Sequence, residues 1–240
     1  MRLICLPFAG GGVSAFAGLR AHARAHERLE VLPAQFPGRE SRFSETPIAS
    51  MPLLLARLIE ALTPLLDRPY VLLGYSLGAR VAYCLARAAD RLGLPAPACV
   101  MVAAHRPPGA PPRMPPLHDL PSEEFWRRLS SYNGTPEEIV RNAEFRELFE
   151  RTLRADFALA ETSLPFPVER LTCPVVAFAG ADDPLVSPRE IAGWAAVAGD
   201  GFELVTIAGG HFFLRENADE FHAQVLAHMR LGNTRSETPV

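Results

Sequence analysis

The chain has 240 residues, of which 48% are hydrophobic, and a formal net charge of −3. This much apolar sequence can bury the core of one large domain or two small ones. The nearly balanced charge excludes the strongly basic surface typical of nucleic-acid-binding proteins, so no nucleic-acid partner is expected.

The N-terminal segment and the cysteines both indicate a cytoplasmic protein. The apolar stretch Arg2–Phe8 is too short for a signal peptide or a membrane span and leads into a glycine loop, so no membrane partner is expected. The cysteines lie in apolar segments without a C-x-x-C spacing. We expect buried thiols in a reducing compartment, rather than disulfides or zinc ligands, at Cys5, Cys84, Cys99 and Cys173.

Short apolar runs alternate with helical patterns along the chain. The runs predict strands at Arg2–Phe8, Glu30–Phe36, Tyr70–Gly74, Ala98–Ala104, Val175–Gly180 and Phe202–Ala208. Several are continuously apolar, which is typical of parallel strands covered on both faces. The intervening patterns predict helices at Leu77–Arg91, from the capping box at Ser187 to about Ala198, and from about Asn217 to Leu231. This order predicts an α/β fold with a mostly parallel, doubly wound sheet.

Residues 105–162 interrupt the alternation. A proline-rich segment is followed by helical sequence, with one apolar helix face formed by Phe145, Leu148, Phe149, Leu153 and Phe157. The insertion is too long for an ordinary connection, and it leaves from the carboxyl end of a strand, where open α/β sheets bind ligands. We therefore predict a helical lid at 105–162, a core at 1–104 and 163–231, and a flexible tail at 232–240. A helical decoration with its own small core is the alternative interpretation.

The sequence GYSLG, residues 74–78, places Ser76 between two glycines directly after a predicted strand. This is the G-x-S-x-G pattern of a nucleophile elbow, a sharp strand-to-helix turn that exposes the serine hydroxyl. A serine hydroxyl is a poor nucleophile at neutral pH and needs a base that is itself oriented by a carboxylate. Ser76 is the predicted nucleophile if such partners exist.

His211 is the predicted base. It follows the strand Phe202–Ala208 through two glycines, and it comes last in the chain order Ser, Asp, His that such folds use. His105, which follows another strand, is the second candidate. His222 and His228 belong to the last helix and are expected on its solvated face.

The acid is expected in the loop FAGADDP, residues 178–184, which offers Asp182 and Asp183 just beyond a strand. Asp-Asp-Pro is also ordinary turn chemistry. The loop after Ala98–Ala104, the other place for such an acid, contains no carboxylate. The absence of a carboxylate after Ala98–Ala104 favours the loop 178–184.

Two backbone N–H groups should form an oxyanion hole. One is expected at Leu77, the residue after the nucleophile, and the other in the loop after the first strand, at Ala9, with Phe8 or Gly10 as alternatives. The segment 10–15 also fits the dinucleotide pattern G-x-G-x-x-A. However, the predicted second strand ends without the acidic residue that would hold a ribose, so cofactor binding there is a remote alternative.

With these residues in place, the sequence resembles the type II thioesterases that accompany polyketide and non-ribosomal peptide synthases. The resemblance extends to about Gly232 and rests on CLPFAGGG, FPGRESRF, DRPYVLLGYSLGARVAY, LRADFALAET, FAGADDPLVSP and GGHFFL. It implies an α/β-hydrolase fold with a helical lid, and it assigns the acid to Asp183, directly before the proline. The chain departs from the family at Tyr75, Leu77 and Cys84, where His, Met and often Glu are usual. Tyr75 and Cys84 put the acyl preference in doubt.

The resemblance also implies a substrate and a partner. A serine hydrolase of this family would remove stalled or wrong acyl groups from the phosphopantetheine arm of carrier proteins, without a metal or redox cofactor. Carrier proteins are usually acidic, so Arg39, Arg42 and Arg113 are candidates for steering them, although ordinary solvated arginine is an alternative for each. A product-releasing thioesterase and a general serine esterase remain alternatives, since both would use the same three side chains.

Overall fold

The computed structural model describes residues 1–113, 115–132, 140–162 and 167–231. Within them a six-stranded, fully parallel sheet has the order β2-β1-β3-β4-β5-β6. The strands are β1 Arg2–Leu6, β2 Glu30–Pro33, β3 Tyr70–Tyr75, β4 Cys99–Ala103, β5 Val175–Gly180 and β6 Phe202–Ile207. From β1 the chain passes to β2 at one edge of the sheet. Strands β3 to β6 then follow in order on the other side of β1. The carboxyl ends of β1, β3, β5 and β6 therefore meet along one rim, which is where the predicted site residues follow their strands.

Helices cover both faces of the sheet. They are α1 Ala17–Ala23, α2 Met51–Leu62, α3 Leu77–Arg91, α4 Ser122–Ser130, α5 Ala143–Glu161, α6 Pro188–Ile191, α7 Phe213–Glu216 and α8 Ala218–Leu231. Short 3-10 turns occur at Val13–Phe16, Glu40–Arg42, Thr63–Leu65 and Ala192–Val197. Among the described residues, no helix combines the length and apolar character that crossing a bilayer requires.

The core has two layers because successive strand residues point to opposite faces of the sheet. Ile4, Leu72 and Val100 pack with α2 and α3 on one face, whereas Leu3 and Val71 pack with α1 and α8 on the other. All four cysteines are buried and free, as predicted. The predicted doubly wound parallel α/β sheet is confirmed.

Differences from the prediction lie mainly at element ends. The first two strands stop at Leu6 and Pro33 rather than at Phe8 and Phe36. After Leu6, Pro7 has no N–H to continue the ladder. The capping box at Ser187 is present, but after Ile191 the helix tightens into a 3-10 turn.

The expectation of solvated histidines on the last helix is wrong. His222 and His228 are only 5% and 8% exposed. The His228 ring contacts Phe178 edge-on, with the centroids 5.9 Å apart, and its Nε2 lies 3.0 Å from Glu203 Oε1. An amphipathic ring at the border of a helix can pack its carbon face inward while one nitrogen reaches a polar partner, which the sequence pattern does not indicate.

The insertion supplies α4 and α5, which share a small core of their own. This core contains Phe125, Trp126 and Leu129 of α4 and Leu153 of α5, with Phe149 and Phe157 packed against it. Leu148 is 45% exposed, so the predicted apolar face is narrower than expected. The proposed tail at 232–240 lies outside the described residues.

Candidate active site

Ser76 sits at a strained turn between β3 and α3. Its backbone has φ 50° and ψ −115°, a conformation that non-glycine residues rarely adopt. The two flanking glycines are sterically required, because a Cβ on Gly74 would lie 2.1 Å from the Gly78 carbonyl oxygen and one on Gly78 2.0 Å from that of Leu6. This tight crossing presents the Ser76 hydroxyl at the rim of the sheet, at the N-terminus of α3.

The structure brings Ser76, His211 and Asp183 together. His211 Nε2 is 3.2 Å from Ser76 Oγ, and His211 Nδ1 is 2.8 Å from Asp183 Oδ2. With the Nδ1 proton donated to the carboxylate, Nε2 carries the lone pair that can accept the serine proton. The Asp183 side chain is fully buried and that of His211 is 10% exposed, so this hydrogen-bonded chain is largely shielded from water.

The loop after β5 fixes the Asp183 carboxylate from its own backbone. Asp183 Oδ1 accepts hydrogen bonds from the N–H groups of Leu185 and Val186, at 2.8 and 3.1 Å, which leaves Oδ2 for His211. Asp182 is exposed and contributes its backbone N–H to the Gly209 carbonyl. Of the two acids left open by the sequence, only Asp183 contacts the imidazole.

His105 lies near the site but does not contact Ser76. Its Nδ1 bonds the Arg106 carbonyl at 2.6 Å, and its own carbonyl accepts from Trp194 Nε1. Burial lowers the pKa of His105 to about 4, partly opposed by that backbone bond. His105 is therefore neutral at pH 7, and the structure gives it no position from which to accept the Ser76 proton.

A second loop, residues 8–12, follows β1 at the same rim. The Gly11 N–H donates to the Phe8 carbonyl at 2.9 Å, and Gly10 has φ 77°. The Gly10 N–H donates to Asp156 Oδ2 at 2.7 Å, so this alternative oxyanion donor is already occupied. The N–H groups of Ala9 and Leu77 donate to no described residue.

The same loop argues against the dinucleotide interpretation. The Val13 and Ser14 N–H groups, which would face a phosphate, donate instead to the Glu40 carboxylate at 3.1 and 3.2 Å. A Cβ on Gly12 would lie 2.5 Å from that carboxyl group. The protein's own anion fills the position that a pyrophosphate would need.

The structure corrects the interpretation of Arg39 as a steering residue. Arg39 is 6% exposed and forms a two-pronged ion pair with Asp156 of α5, with both N–O distances 2.7 Å. Arg42 and Arg113 also have acidic neighbours, Glu45 and Glu190. Sequence reasoning missed Asp156, whose position in a helical apolar pattern gives no sign that it contacts the glycine loop.

Among the described residues, one cluster of side chains could hold a metal ion. It contains His22 of α1 and Asp219 and His222 of α8, with potential ligand atoms within 4.8 Å of one another. None of its members has a hydrogen bond to the three side chains at the rim. The cluster therefore belongs to the α1–α8 face and not to the site around Ser76.

The family model described as the thioesterase domain matches residues 1–229. The chain belongs to the thioesterase family. This thioesterase is 32% identical to the gramicidin S biosynthesis protein GrsT of Aneurinibacillus migulanus, across 96% of the chain and 90% of GrsT. It is 39% identical to a segment of the AMB antimetabolite synthetase AmbE of Pseudomonas aeruginosa, a match that covers 92% of the chain and only 10% of AmbE.

Solved structures agree with this assignment. The thioesterase is 34% identical to the type II thioesterase BorB from the borrelidin biosynthetic cluster, with a TM-score of 0.82 over 95% of this chain and 91% of BorB. The predicted family and the α/β-hydrolase fold are confirmed, and the protein is a thioester hydrolase. Two of these relatives belong to biosynthetic pathways, those of gramicidin S and borrelidin.

Proposed function

We propose that this thioesterase hydrolyses acyl groups from the phosphopantetheine arm of synthase carrier proteins, through an acyl-serine intermediate. The observation that carries the proposal is the hydrogen-bonded chain from Ser76 Oγ through the His211 imidazole to Asp183. The names of GrsT and BorB, both from biosynthetic pathways, support a carrier-bound substrate.

In the first half-reaction, His211 Nε2 takes the Ser76 proton as the serine oxygen attacks the thioester carbonyl carbon. The N–H groups of Leu77 and Ala9 would stabilise the resulting oxyanion, with Leu77 at the positive end of α3. The carbon–sulfur bond then breaks, and the His211 imidazolium gives its proton to the departing pantetheine sulfur, so the thiol leaves and His211 is neutral again. Asp183 stabilises the imidazolium that forms and holds Nε2 toward the serine.

In the second half-reaction, water attacks the acyl-serine carbonyl and gives a proton to His211. The tetrahedral intermediate collapses as His211 returns that proton to Ser76 Oγ, which releases the free acid. Every proton in this cycle moves between substrate, water, Ser76 and His211. The proposed cycle therefore uses no bound metal or redox cofactor.

The test is mass spectrometry of carrier proteins loaded with a panel of acyl groups, with the wild-type enzyme and with Ser76→Ala. We expect the wild type to return free holo-carrier, and the variant to lose at least about three powers of ten in rate. Near wild-type turnover by Ser76→Ala would overturn the serine mechanism. Equal rates on carrier-bound acyl groups and on simple oxygen esters would instead indicate a general esterase.

A second candidate is release of a finished product rather than removal of stalled acyl groups. The similarity to one tenth of the AmbE synthetase favours it, because the matched segment is part of a larger assembly enzyme. The two functions differ in chain length preference. An enzyme that clears short acyl groups as fast as, or faster than, a full-length chain supports the first candidate, and a strong preference for the full-length chain supports the second.

A further inference from the structure

The loop that carries Ala9 is a turn whose shape depends on one peptide group. The Phe8–Gly11 hydrogen bond and the positive φ of Gly10, 77°, are typical of a type II turn, in which Ala9 and Gly10 are the central residues. Type I and type II turns differ mainly by rotation of the peptide between their two central residues. That rotation changes ψ of Ala9 and φ of Gly10, whereas the Ala9 N–H belongs to the preceding peptide. The Ala9 N–H is therefore placed by the position of the whole turn, which a bond to the neighbouring Gly10 N–H can anchor.

Asp156 of the lid helix holds that peptide. Its Oδ2 accepts the Gly10 N–H at 2.7 Å, and its side chain is completely buried. This buried, charge-assisted bond anchors the turn one residue away from the Ala9 N–H, so its loss should let the turn, and with it the Ala9 N–H, shift relative to Ser76. Leu153, one helical turn earlier, packs directly against the same turn, since a Cβ on Gly10 would lie 2.9 Å from Leu153 Cδ2.

Asp156 is in turn fixed by the core. Two nitrogens of Arg39 donate to its two oxygens at 2.7 Å, and Arg39 also donates to the Gly11 carbonyl at 3.2 Å. A further buried bond joins Thr152 Oγ1 to the Gly38 carbonyl at 2.7 Å. Helix α5, the loop 8–12 and the loop at Arg39 thus form one hydrogen-bonded unit in which both charges and each of these donors have a partner.

We propose that Asp156 is a positioning residue that sets the Ala9 N–H for transition-state stabilisation, so that the lid helix completes the oxyanion hole. This inference rests on the proposed function of Ala9 as an oxyanion donor. Asp156 itself touches neither substrate nor reacting atoms; it acts through the turn. The core alone supplies Ser76, His211 and Asp183, whereas the second oxyanion donor depends on α5.

The experiment compares Asp156→Ala with Asp156→Asn on one acyl-carrier substrate. Asn keeps an oxygen that can accept the Gly10 N–H, whereas Ala removes the acceptor. We expect Asp156→Ala to lower kcat by about 10- to 100-fold with little change in KM, as for an interaction made only in the transition state. Asp156→Asn should stay within about fivefold of the wild-type kcat if its oxygen replaces the lost acceptor.

Thermal melts show whether each variant is folded at the assay temperature, and both variants lose the ion pair with Arg39. If kcat falls equally in Asn and Ala, the effect follows from the lost ion pair and the positioning role is wrong. Arg151→Ala is the matched control, because it removes an exposed bond from the same helix to the Glu45 carbonyl, 3.2 Å long. We expect it to leave kcat unchanged.

A ligand measurement separates positioning from loss of folded enzyme. A boronic acid that forms a tetrahedral adduct with the serine should lose affinity in Asp156→Ala by the same factor as kcat, while a thioether analogue of the ground state should bind as in wild type. Unchanged boronate affinity would overturn the proposal. Failure of the proposed function has a different signature, since Ser76→Ala would then retain activity whatever Asp156 does.

Discussion

The rim loop after β5 and the inserted helix α5 each contribute a fully buried carboxylate, and the two have opposite kinds of partner. Asp183 accepts two N–H groups of its own loop and faces the His211 imidazole, which can gain a proton. Asp156 faces the Arg39 guanidinium, a permanent cation, through two charge-assisted hydrogen bonds. The difference between them is the charge of the partner.

Because their partners differ in charge, the two carboxylates have different roles. The negative charge of Asp183 is held by neutral donors, so it remains available to stabilise an imidazolium that exists only during the reaction. The charge of Asp156 is already compensated by Arg39 in the resting enzyme, so it adds little to any charge that develops later. A neutral amide at each position should therefore produce opposite defects.

The largest expected effect is on catalysis at Asp183. Asp183→Asn should lower kcat by about 10⁴-fold, because an amide N–H facing Nδ1 favours the wrong imidazole tautomer. Its stability should change little, since the amide oxygen can still accept the Leu185 and Val186 N–H groups. Asp156→Asn should show the reverse pattern, with most of kcat retained and a lower melting temperature. Kinetics and thermal melts of both variants measure this, and similar defects in the two would contradict the comparison.

The next largest effect is expected on the stability of the fold, from substitution of Arg39. Arg39→Met should destabilise the fold by about 3–5 kcal/mol, because it leaves the Asp156 charge buried without a partner. The double variant Arg39→Met, Asp156→Leu should recover part of that stability, since two apolar side chains replace the pair. Its kcat should be lower than that of Arg39→Met, because Leu cannot accept the Gly10 N–H. Urea unfolding measures the stability, and a double variant no more stable than Arg39→Met would contradict this account.

The same contrast explains how much the sequence could predict. Ser76 and His211 each follow a strand, so local patterns and the rule that strand ends converge were enough to select them. The same patterns left Asp182 and Asp183 open, and only the family resemblance selected Asp183. The roles of Asp156 and Arg39 depend on a contact across 117 residues of sequence separation. Nothing local distinguishes a carboxylate in an amphipathic helix that will be buried from one that will face water. Buried His222 and exposed Leu148 were missed for the same reason, since tertiary packing decides both.

A smaller effect is expected from pH through His105. Its pKa is about 4 in the folded protein because of burial and about 6.5 in an unfolded chain. Between these values the unfolded state binds the proton and the folded state does not, so stability is present above pH 6.5 and is lost as pH falls toward 4. For this partly buried ring we expect a contribution on the order of 2 kcal/mol.

His105→Asn should remove that contribution to the pH dependence. Urea unfolding at about pH 7 and about pH 4.5 should therefore differ less for the variant than for the wild type, by on the order of 2 kcal/mol. His26→Asn, on a partly exposed residue beyond α1, is the control and should keep the wild-type difference. Identical pH dependence in wild type and His105→Asn would show that His105 does not carry it.

The smallest effect concerns Tyr75, which supports the His211 loop from the buried side. Its hydroxyl donates to the His211 carbonyl at 2.6 Å, so Tyr75→Phe should cost about 1 kcal/mol and lower kcat several-fold by loosening the imidazole. Tyr70 in the same strand is a matched control, because its hydroxyl donates to the Pro95 carbonyl at 2.7 Å, at the end of β3 away from the site. Tyr70→Phe should lose similar stability and keep kcat. If both variants lose kcat equally, the loss reflects general destabilisation and the bond to His211 has no special role.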